Sequence, residues 1–190
     1  MESRQIRRRR KTLPVRENPL QPGDRAEDVQ TLFLPDDFYT FQEGHYDGVI
    51  KRFRETHVTA WPTDVAGLHT VLSRLQGLFP SQDTQTHLLH LAADGEILPH
   101  VDNVGASGSW ILGVSLGASR ILRLENTENQ HEAFDIPLIS GSVYVQKYSV
   151  RYGYQHSILN DGFLNGTRYN GGQRLSIIVR DCLPTVQIPG

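Results

Sequence analysis

The sequence WILGVSLGASRILRLEN, residues 110–126, decides the fold of this chain. Apolar side chains recur at every second position in its first half, at Trp110, Leu112, Val114 and Leu116. Gly117 ends this pattern, and a second strand-like run follows at residues 120–125. A period of two residues is typical of a β-strand with one buried face. The stretch therefore predicts two consecutive strands.

Further strand-like runs lie on both sides of this stretch, and glycine, asparagine or aspartate punctuates the chain between them. They cover residues 86–92, 134–138, 142–146, 150–158 and 174–181. We expect Asp94-Gly95 to break the strand after the first of these runs, and Ser140-Gly141 to form a turn. Several short strands with such punctuation are typical of an all-β sandwich or barrel.

Helical patterns occur in the part of the chain before these strands. Apolar residues within 65–78 recur at helical spacing, and Pro80 follows as a stop. Residues 44–53 carry a shorter helical pattern, and Asp36 and Asp37 could cap another helix. Helices followed by short strands predict an α+β, mainly β fold. Its core would be a double-stranded β-helix, or jelly roll, with N-terminal helices packed on it.

The first 31 residues differ from the rest in composition. They start with a cluster of arginines between Arg4 and Arg10 and continue with several prolines. We expect this basic, Pro-rich segment to be disordered and residues 32–190 to form one domain. The basic start has three interpretations: a solvated tail, a mitochondrial presequence, or a nuclear or nucleic-acid-binding patch. The expected location is mitochondrial, with nuclear or cytoplasmic as the alternatives.

The bulk composition excludes several classes of protein. A formal net charge of −2 argues against a protein that coats nucleic acid over its whole surface. The single cysteine, Cys182, excludes internal disulfides and an all-thiolate zinc site. The longest apolar runs, such as residues 177–179, are too short to span a bilayer. We therefore expect a soluble protein without a membrane partner.

A candidate metal site begins with His100-Val101-Asp102, an H-x-D motif. On a strand, residues two apart point to the same side, so this spacing offers an imidazole and a carboxylate to one ion. A third ligand would complete a 2-His-1-carboxylate site for Fe(II), and His156 in the 150–158 run is the candidate. The motif alone is weak, because about one chance match is expected in every two such chains.

A second copy of the motif, His45-Tyr46-Asp47, lies within the helix predicted over residues 44–53. On a helix, residues two apart do not share a face. We therefore interpret this copy as a surface or capping feature and keep the first copy as the candidate site.

Two arginines strengthen the metal-site interpretation. Arg174 and Arg180 share one face of the strand predicted over 174–181, about 20 Å apart at about 3.3 Å per residue. A guanidinium that faces the interior is costly unless a carboxylate binds it, and a dicarboxylate cosubstrate would supply one. Both arginines could instead be ordinary charges at the rim. The order H-x-D, His, Arg-x5-Arg in one strand-rich domain favours the cosubstrate.

At these residues the chain resembles the AlkB-like Fe(II)/2-oxoglutarate-dependent oxygenases, and among them the mitochondrial AlkB homologue seven branch. The resemblance runs from about residue 44 to residue 184. The segments that carry it are HYDGVIKRFRE (45–55), LPHVDN (98–103), GSVYV (141–145), RYGYQHSI (151–158) and GQRLSIIVRDCL (172–183).

The resemblance implies a set of site residues and cofactors. Fe(II) and 2-oxoglutarate would be the cofactors and dioxygen the second cosubstrate. His100, Asp102 and His156 would be the iron ligands. Arg174 would hold the distal carboxylate of 2-oxoglutarate with help from the Tyr144 hydroxyl. Arg180 would lie nearer the metal, toward the other carboxylate or as a partner of Asp102.

The chain also departs from the DNA-repair members of that family. They carry an Asn-x-Tyr pair on the strand before H-x-D, where this chain has Leu89-His90-Leu91. The departure argues against duplex DNA as a substrate. We expect a monomeric oxygenase that hydroxylates or demethylates a protein or small-molecule substrate. The alternatives are an RNA N-demethylase, favoured if the basic N-terminus is retained, and a non-catalytic jelly-roll binding scaffold.

Overall fold

The computed structural model describes residues 40–63, 68–80 and 83–182. The strands are β1 Gln42–Gly44, β2 Ile50–His57, β3 Thr84–His100, β4 Trp110–Gly117, β5 Arg120–Asn126, β6 Ala133–Leu138, β7 Ser142–Lys147, β8 Tyr154–Leu159, β9 Asp161–Leu164, β10 Thr167–Asn170 and β11 Arg174–Asp181. The helices are α1 Leu68–Gln76 and α2 Ser149–Gly153. The basic segment 1–31, the candidate cap at Asp36 and Asp37, and the first three residues of the predicted 65–78 helix lie outside the described residues.

Antiparallel pairing gives two faces of one rolled sheet, and β3 belongs to both. The first half of β3 pairs with β11, which continues the sheet through β4 to β7. β2 pairs with both halves of β3, since His57 lies opposite His87 and Ile50 opposite Ile97. The last residues of β3 pair with β8, which continues through β5 to β6. This arrangement confirms the predicted mainly β jelly roll.

Two apolar cores hold this arrangement together. The alternating residues of β4, Trp110, Leu112, Val114 and Leu116, are buried in one cluster with Leu75 of α1. The second cluster lies between the two faces and contains Phe53, Leu89, Leu91, Leu122, Leu124 and Ile158. Each such side chain contributes about 1.5–3 kcal/mol through burial. The helical spacing before Pro80 and the period of two in β4 are therefore both explained by burial against one core.

The helix predicted over residues 44–53 is wrong. β1 and β2 form a hairpin, with Gly44 opposite Lys51. Gly48, in the turn, has a φ of 73°, a left-handed conformation that glycine tolerates best. Two of the residues that gave the helical pattern lie in different environments, since Tyr46 is 94% exposed in the turn and Phe53 is fully buried between the two faces. Strand pairing and the burial of Phe53 override the local pattern.

The strand break predicted at Asp94-Gly95 is also wrong. β3 continues through both residues, and its register against β2 shifts at Arg52. A Cβ atom at Gly95 would lie 2.6 Å from the Arg52 carbonyl oxygen, so only glycine permits this close approach. The resulting bulge allows a single strand to serve both faces of the roll.

The run predicted as a strand over residues 150–158 is one only from Tyr154 onward, because α2 occupies residues 149–153. The hairpin of β9 and β10 was not predicted. No helix in the part of the chain that the structure describes combines the length and hydropathy needed to cross a bilayer.

Candidate metal centre

Two of the three predicted ligands lie opposite each other on neighbouring strands. His100 is the last residue of β3, and its register partner on β8 is His156. Side chains of such a directly opposed antiparallel pair lie on the same face, with Cβ atoms about 4.5–5.5 Å apart. Accordingly, the two imidazole ring centroids are 4.2 Å apart. Sheet register therefore brings together two histidines that are distant in sequence.

Asp102 follows β3 directly and completes the cluster. His100 Nε2 lies 3.4 Å from Asp102 Oδ1, and His156 Nε2 lies 3.9 Å from Asp102 Oδ2. One ligand atom from each residue lies within 4.8 Å of the other two. His100 Nδ1 donates a hydrogen bond to the Leu98 carbonyl oxygen at 2.9 Å, which leaves Nε2 available to a metal. Two imidazoles and one carboxylate on one side of an ion form a donor set suited to Fe(II).

The charges of the cluster suit metal binding as well. Burial raises the pKa of Asp102, but the His100 hydrogen bond and the nearby charges of His156 and Arg180 outweigh it, so this pKa lies well below its usual value. Burial lowers the pKa of His156 to about 4. Burial also lowers the pKa of His100, but hydrogen bonds with Asp102 and the Leu98 carbonyl raise it above the usual value. Asp102 is thus ionised and His156 neutral, the states that bind metal, whereas His100 has to release its proton when an ion binds.

Arg174 lies in the interior with an incomplete set of partners. It is 1% exposed, its Nε donates to Ser115 Oγ at 2.9 Å, and its Nη1 donates to Ser176 Oγ. Its Nη2 is buried and has no hydrogen-bond partner within the described residues. Burial lowers the pKa of Arg174, and the Tyr144 hydroxyl opposes this effect. A buried guanidinium costs several kcal/mol unless an anion binds it. A ligand carboxylate would be the missing partner.

Tyr144 reaches this position because a glycine lies opposite it. Tyr144 on β7 pairs with Gly113 on β4, and a Cβ atom at Gly113 would overlap the tyrosine ring. The ring can therefore lie flat across β4 and direct its hydroxyl to Arg174. Gly113 was not predicted as a site residue, although a glycine within an alternating strand is a known signal of close approach.

A cavity of about 510 Å³ connects these groups. Its lining includes the metal-ligand cluster and the inward residues of β11, which are Arg174, Ser176, Ile178 and Arg180. Arg180 Nη2 lies 3.5 Å from Asp102 Oδ1, so this arginine is close to the metal cluster. The residues present therefore fit a metal ion at the cluster and a dicarboxylate that reaches Arg174.

The second H-x-D copy does not join this cluster. His45 Nδ1 and Asp47 Oδ1 lie 2.8 Å apart in the β1–β2 turn, and Asp47 also accepts a hydrogen bond from the Val49 amide. His45 and Asp47 are therefore a surface or capping feature, as predicted, but they cap a turn and not a helix. Both residues nevertheless line the mouth of the cavity.

Comparison with models of known protein families matches residues 2–180 to the family described as the 2OG-Fe(II) oxygenase superfamily. The chain belongs to the 2OG-Fe(II) oxygenase superfamily. It is therefore a 2-oxoglutarate-dependent dioxygenase with Fe(II) and 2-oxoglutarate as its cofactors. Dioxygen and 2-oxoglutarate are its cosubstrates.

Two curated relatives confirm the resemblance to the mitochondrial AlkB branch. The chain is 35% identical over 156 residues to the alpha-ketoglutarate-dependent dioxygenase alkB homolog 7, mitochondrial, of Bos taurus, which covers 79% of this chain and 69% of the relative. It is 34% identical over 154 residues to the protein of the same name from Mus musculus, with the same shares covered.

Solved structures show a similar fold at low sequence identity. The structure of OsALKBH1 matches with a TM-score of 0.52 and 13% identity over 75% of this chain and 83% of that one. A Pseudomonas putida prolyl-4-hydroxylase matches with a TM-score of 0.51 and 14% identity over 77% of this chain and 81% of that one. At this identity the likeness concerns the jelly-roll fold alone.

The oxygenase has a further buried arginine, Arg151, which lies in the segment RYGYQHSI (151–158) and had no predicted role. Arg151 in α2 is 1% exposed, its Nη1 donates to the Asp102 carbonyl oxygen at 3.0 Å, and its Nη2 donates to Ser107 Oγ at 2.8 Å. α2 leads directly into β8, which carries His156. One side chain thus joins the segment that carries His156 to the loop that carries Asp102.

Replacing Arg151 with methionine is expected to weaken metal binding about 10- to 100-fold, the usual effect of losing a contact that orients a ligand. Anaerobic calorimetric titration with Fe(II) measures the affinity, and Arg151→Lys should recover part of it by donating to the Asp102 carbonyl. Arg123→Met is the matched control, because Arg123 pairs with Asp135 on β6 at 2.8 Å, away from the cavity lining. Equal affinities in wild type and Arg151→Met would refute the positioning role.

Proposed function

We propose that His100, Asp102 and His156 bind the catalytic Fe(II), and that Arg174 and Tyr144 bind the distal carboxylate of 2-oxoglutarate. The observation that carries this proposal is a cavity lined both by a metal-ligand cluster and by a buried guanidinium nitrogen without a partner. Because 2-oxoglutarate is a dicarboxylate, one end can bind Arg174 and the other can reach the metal.

The surrounding residues orient these groups. Ser115 and Ser176 hold the Arg174 guanidinium from two sides, which leaves one edge for the cosubstrate. Arg180 lies 3.5 Å from the Asp102 carboxylate, and from this position it would bind the second carboxylate of 2-oxoglutarate. Apolar residues of the lining, Leu89, Ile158 and Ile178, limit the access of water. When bound, Fe(II) supplies the oxidative chemistry in which 2-oxoglutarate and dioxygen yield succinate, carbon dioxide and a hydroxylated substrate carbon.

The substrate that we propose is a protein side chain or a small molecule. Asp47 and Glu55 are carboxylates that line the cavity together with the metal cluster. Phosphates of a nucleic acid would be repelled by negative charge at this position. Hydroxylation of an N-methyl group would release formaldehyde and leave a demethylated nitrogen, so the same site could carry out either reaction.

RNA demethylation is the second candidate, and the arginine cluster between Arg4 and Arg10 is the observation that favours it. The same segment, together with the word mitochondrial in the names of the two relatives, supports a mitochondrial location for this oxygenase.

Succinate release tests the proposed activity. The purified protein with Fe(II), oxygen and 2-oxoglutarate should form succinate, slowly without substrate and faster with the correct one. Adding mitochondrial-extract peptides should stimulate the rate, whereas an N-methylated single-stranded RNA should not. If the RNA stimulated the rate and the peptides did not, RNA demethylation would be the better assignment. An absence of iron-dependent succinate formation would refute the proposed activity.

A further inference from the structure

Part of the cavity lining is not among the residues that we propose to bind iron or 2-oxoglutarate, and we call this part the outer wall. It is formed by the β1–β2 turn, by β2 and by the first half of β3. The polar side chains of this outer wall are His45, Asp47, Glu55, His57 and His87.

His87 is the most deeply buried polar group of the outer wall. It is 6% exposed and lines the cavity. Its neighbour across the ladder is His57, at a ring-centroid distance of 5.8 Å. Burial and the nearby charge of Arg180 lower the pKa of His87 to about 3. A neutral buried imidazole presents an unprotonated nitrogen that can accept a hydrogen bond from a ligand.

Asp47 adds a negative charge that is fixed relative to the metal cluster. The Val49 amide and His45 lower the pKa of Asp47, so its carboxylate is ionised. The Val49 carbonyl accepts a hydrogen bond from the Leu98 amide at 2.8 Å, which ties the turn to β3 two residues before His100. The carboxylate therefore has a set position at the mouth of the cavity, close to the metal ligands.

The balance of charge points to a cationic ligand. Of the two arginines in the cavity lining, Arg174 is assigned to 2-oxoglutarate and Arg180 lies against Asp102. The outer wall itself contains carboxylates and imidazoles but no lysine or arginine. Beside them, the ring of Tyr46 is 94% exposed and lies 4.1 Å from the ring of His45. A carboxylate, an imidazole acceptor and an exposed aromatic face together suit an ammonium or guanidinium group.

We propose that the outer wall is the substrate subsite of this oxygenase and that it binds a cationic nitrogen group. This group is the ammonium or guanidinium end of a basic side chain, held by Asp47, His87 and Tyr46 with its carbon atoms toward the metal cluster. The inference rests on the proposed function, which gives the neighbouring cluster its iron. A lysine or arginine within a peptide and a free alkylamine share this chemistry.

Binding and turnover together test the proposal. The cationic probes are lysine amide and arginine amide acetylated on the α-nitrogen, a lysine-containing peptide, and butylamine. Norleucine amide acetylated on the α-nitrogen is the uncharged analogue, and an oligoribonucleotide represents the competing class of ligand. Their affinities for the full-length protein with Fe(II) and 2-oxoglutarate are measured anaerobically, and their stimulation of succinate release is measured in air. Cationic probes should bind about tenfold or more tightly than norleucine amide, in the range of a charge-assisted contact. Tighter binding of the peptide than of butylamine would identify the substrate as a protein side chain. Tighter binding of butylamine would identify it as a free amine.

Variants identify the residues responsible. Asp47→Asn and His87→Phe should each weaken the cationic probes about tenfold and leave norleucine amide unchanged. Asp161→Asn is the matched control, because Asp161 is an exposed carboxylate that pairs with Arg168 outside the cavity lining. Equal binding of lysine and norleucine amides, tighter binding of the oligoribonucleotide, or no effect of Asp47→Asn would overturn the proposal. If these results came with normal iron-dependent succinate release, only the subsite proposal would be refuted and the proposed function would stand. A loss of all succinate release in wild type would instead remove the proposed function.

Discussion

Replacing His156 with alanine is expected to abolish iron-dependent succinate release. The substitution removes one of three ligands from the cluster, and the remaining His100 and Asp102 cannot hold the ion in a defined geometry. Loss of an orienting contact costs 10- to 100-fold in affinity or activity, and loss of a direct ligand should exceed about 100-fold. Succinate formed per minute and iron retained per protein after desalting are the two measurements.

The matched control for this substitution is His131→Ala. His131 is exposed in the loop between β5 and β6 and does not line the cavity. It should keep wild-type iron content and turnover. His156→Gln retains most of the side-chain volume, so it separates loss of the ligand from a packing defect in this buried position. Wild-type iron content and turnover in both His156 variants would exclude the triad as the iron site.

Arg174→Met is expected to raise the KM for 2-oxoglutarate by about 30- to 1000-fold. Truncating one partner of a buried charge pair costs about 2–4 kcal/mol, which corresponds to this range. The fold should tolerate the change, because replacing a buried charge by an apolar side chain of similar length removes a desolvation cost. The rate at saturating 2-oxoglutarate should fall much less than kcat/KM, since the metal ligands are unchanged.

Initial rates over a range of 2-oxoglutarate concentrations measure this effect. Arg168→Met is the matched control, because the Arg168 side chain is 59% exposed and pairs with Asp161. An unchanged KM in Arg174→Met would show that the distal carboxylate binds elsewhere. A selective fall in the rate at saturation would place Arg174 with the chemistry of the metal cluster instead.

The fold could be predicted from sequence wherever burial imposes a regular period. β4 and α1 are examples, because Leu112 and Leu75 lie in the same core and each element turns one face toward it. The hairpin of β1 and β2 could not be predicted in this way. Its apolar residues happen to have helical spacing, whereas their burial depends on strand pairing with β3. The bulge at Gly95 likewise depends on how closely Arg52 approaches from another strand.

The residues of the candidate site likewise include some that can be predicted from sequence and some that cannot. H-x-D, the later histidine and the two arginines of β11 can be read from sequence because each is a chemical type at a characteristic spacing. Arg151 and Gly113 cannot, since their importance lies in what they contact. Arg151 reaches the Asp102 backbone, and Gly113 makes room for the Tyr144 ring. The empty hydrogen-bond position on Arg174 is likewise visible only when all of its neighbours are known.

The most direct test of the account is anaerobic titration of the protein with Fe(II) and 2-oxoglutarate, followed by visible absorption. Chelation of ferrous iron by the keto acid gives a charge-transfer band that neither component gives alone. We expect this band in wild type, its loss in His100→Ala, and its appearance in Arg174→Met only at much higher 2-oxoglutarate concentration. A band of equal intensity and equal 2-oxoglutarate dependence in wild type and His100→Ala would contradict it.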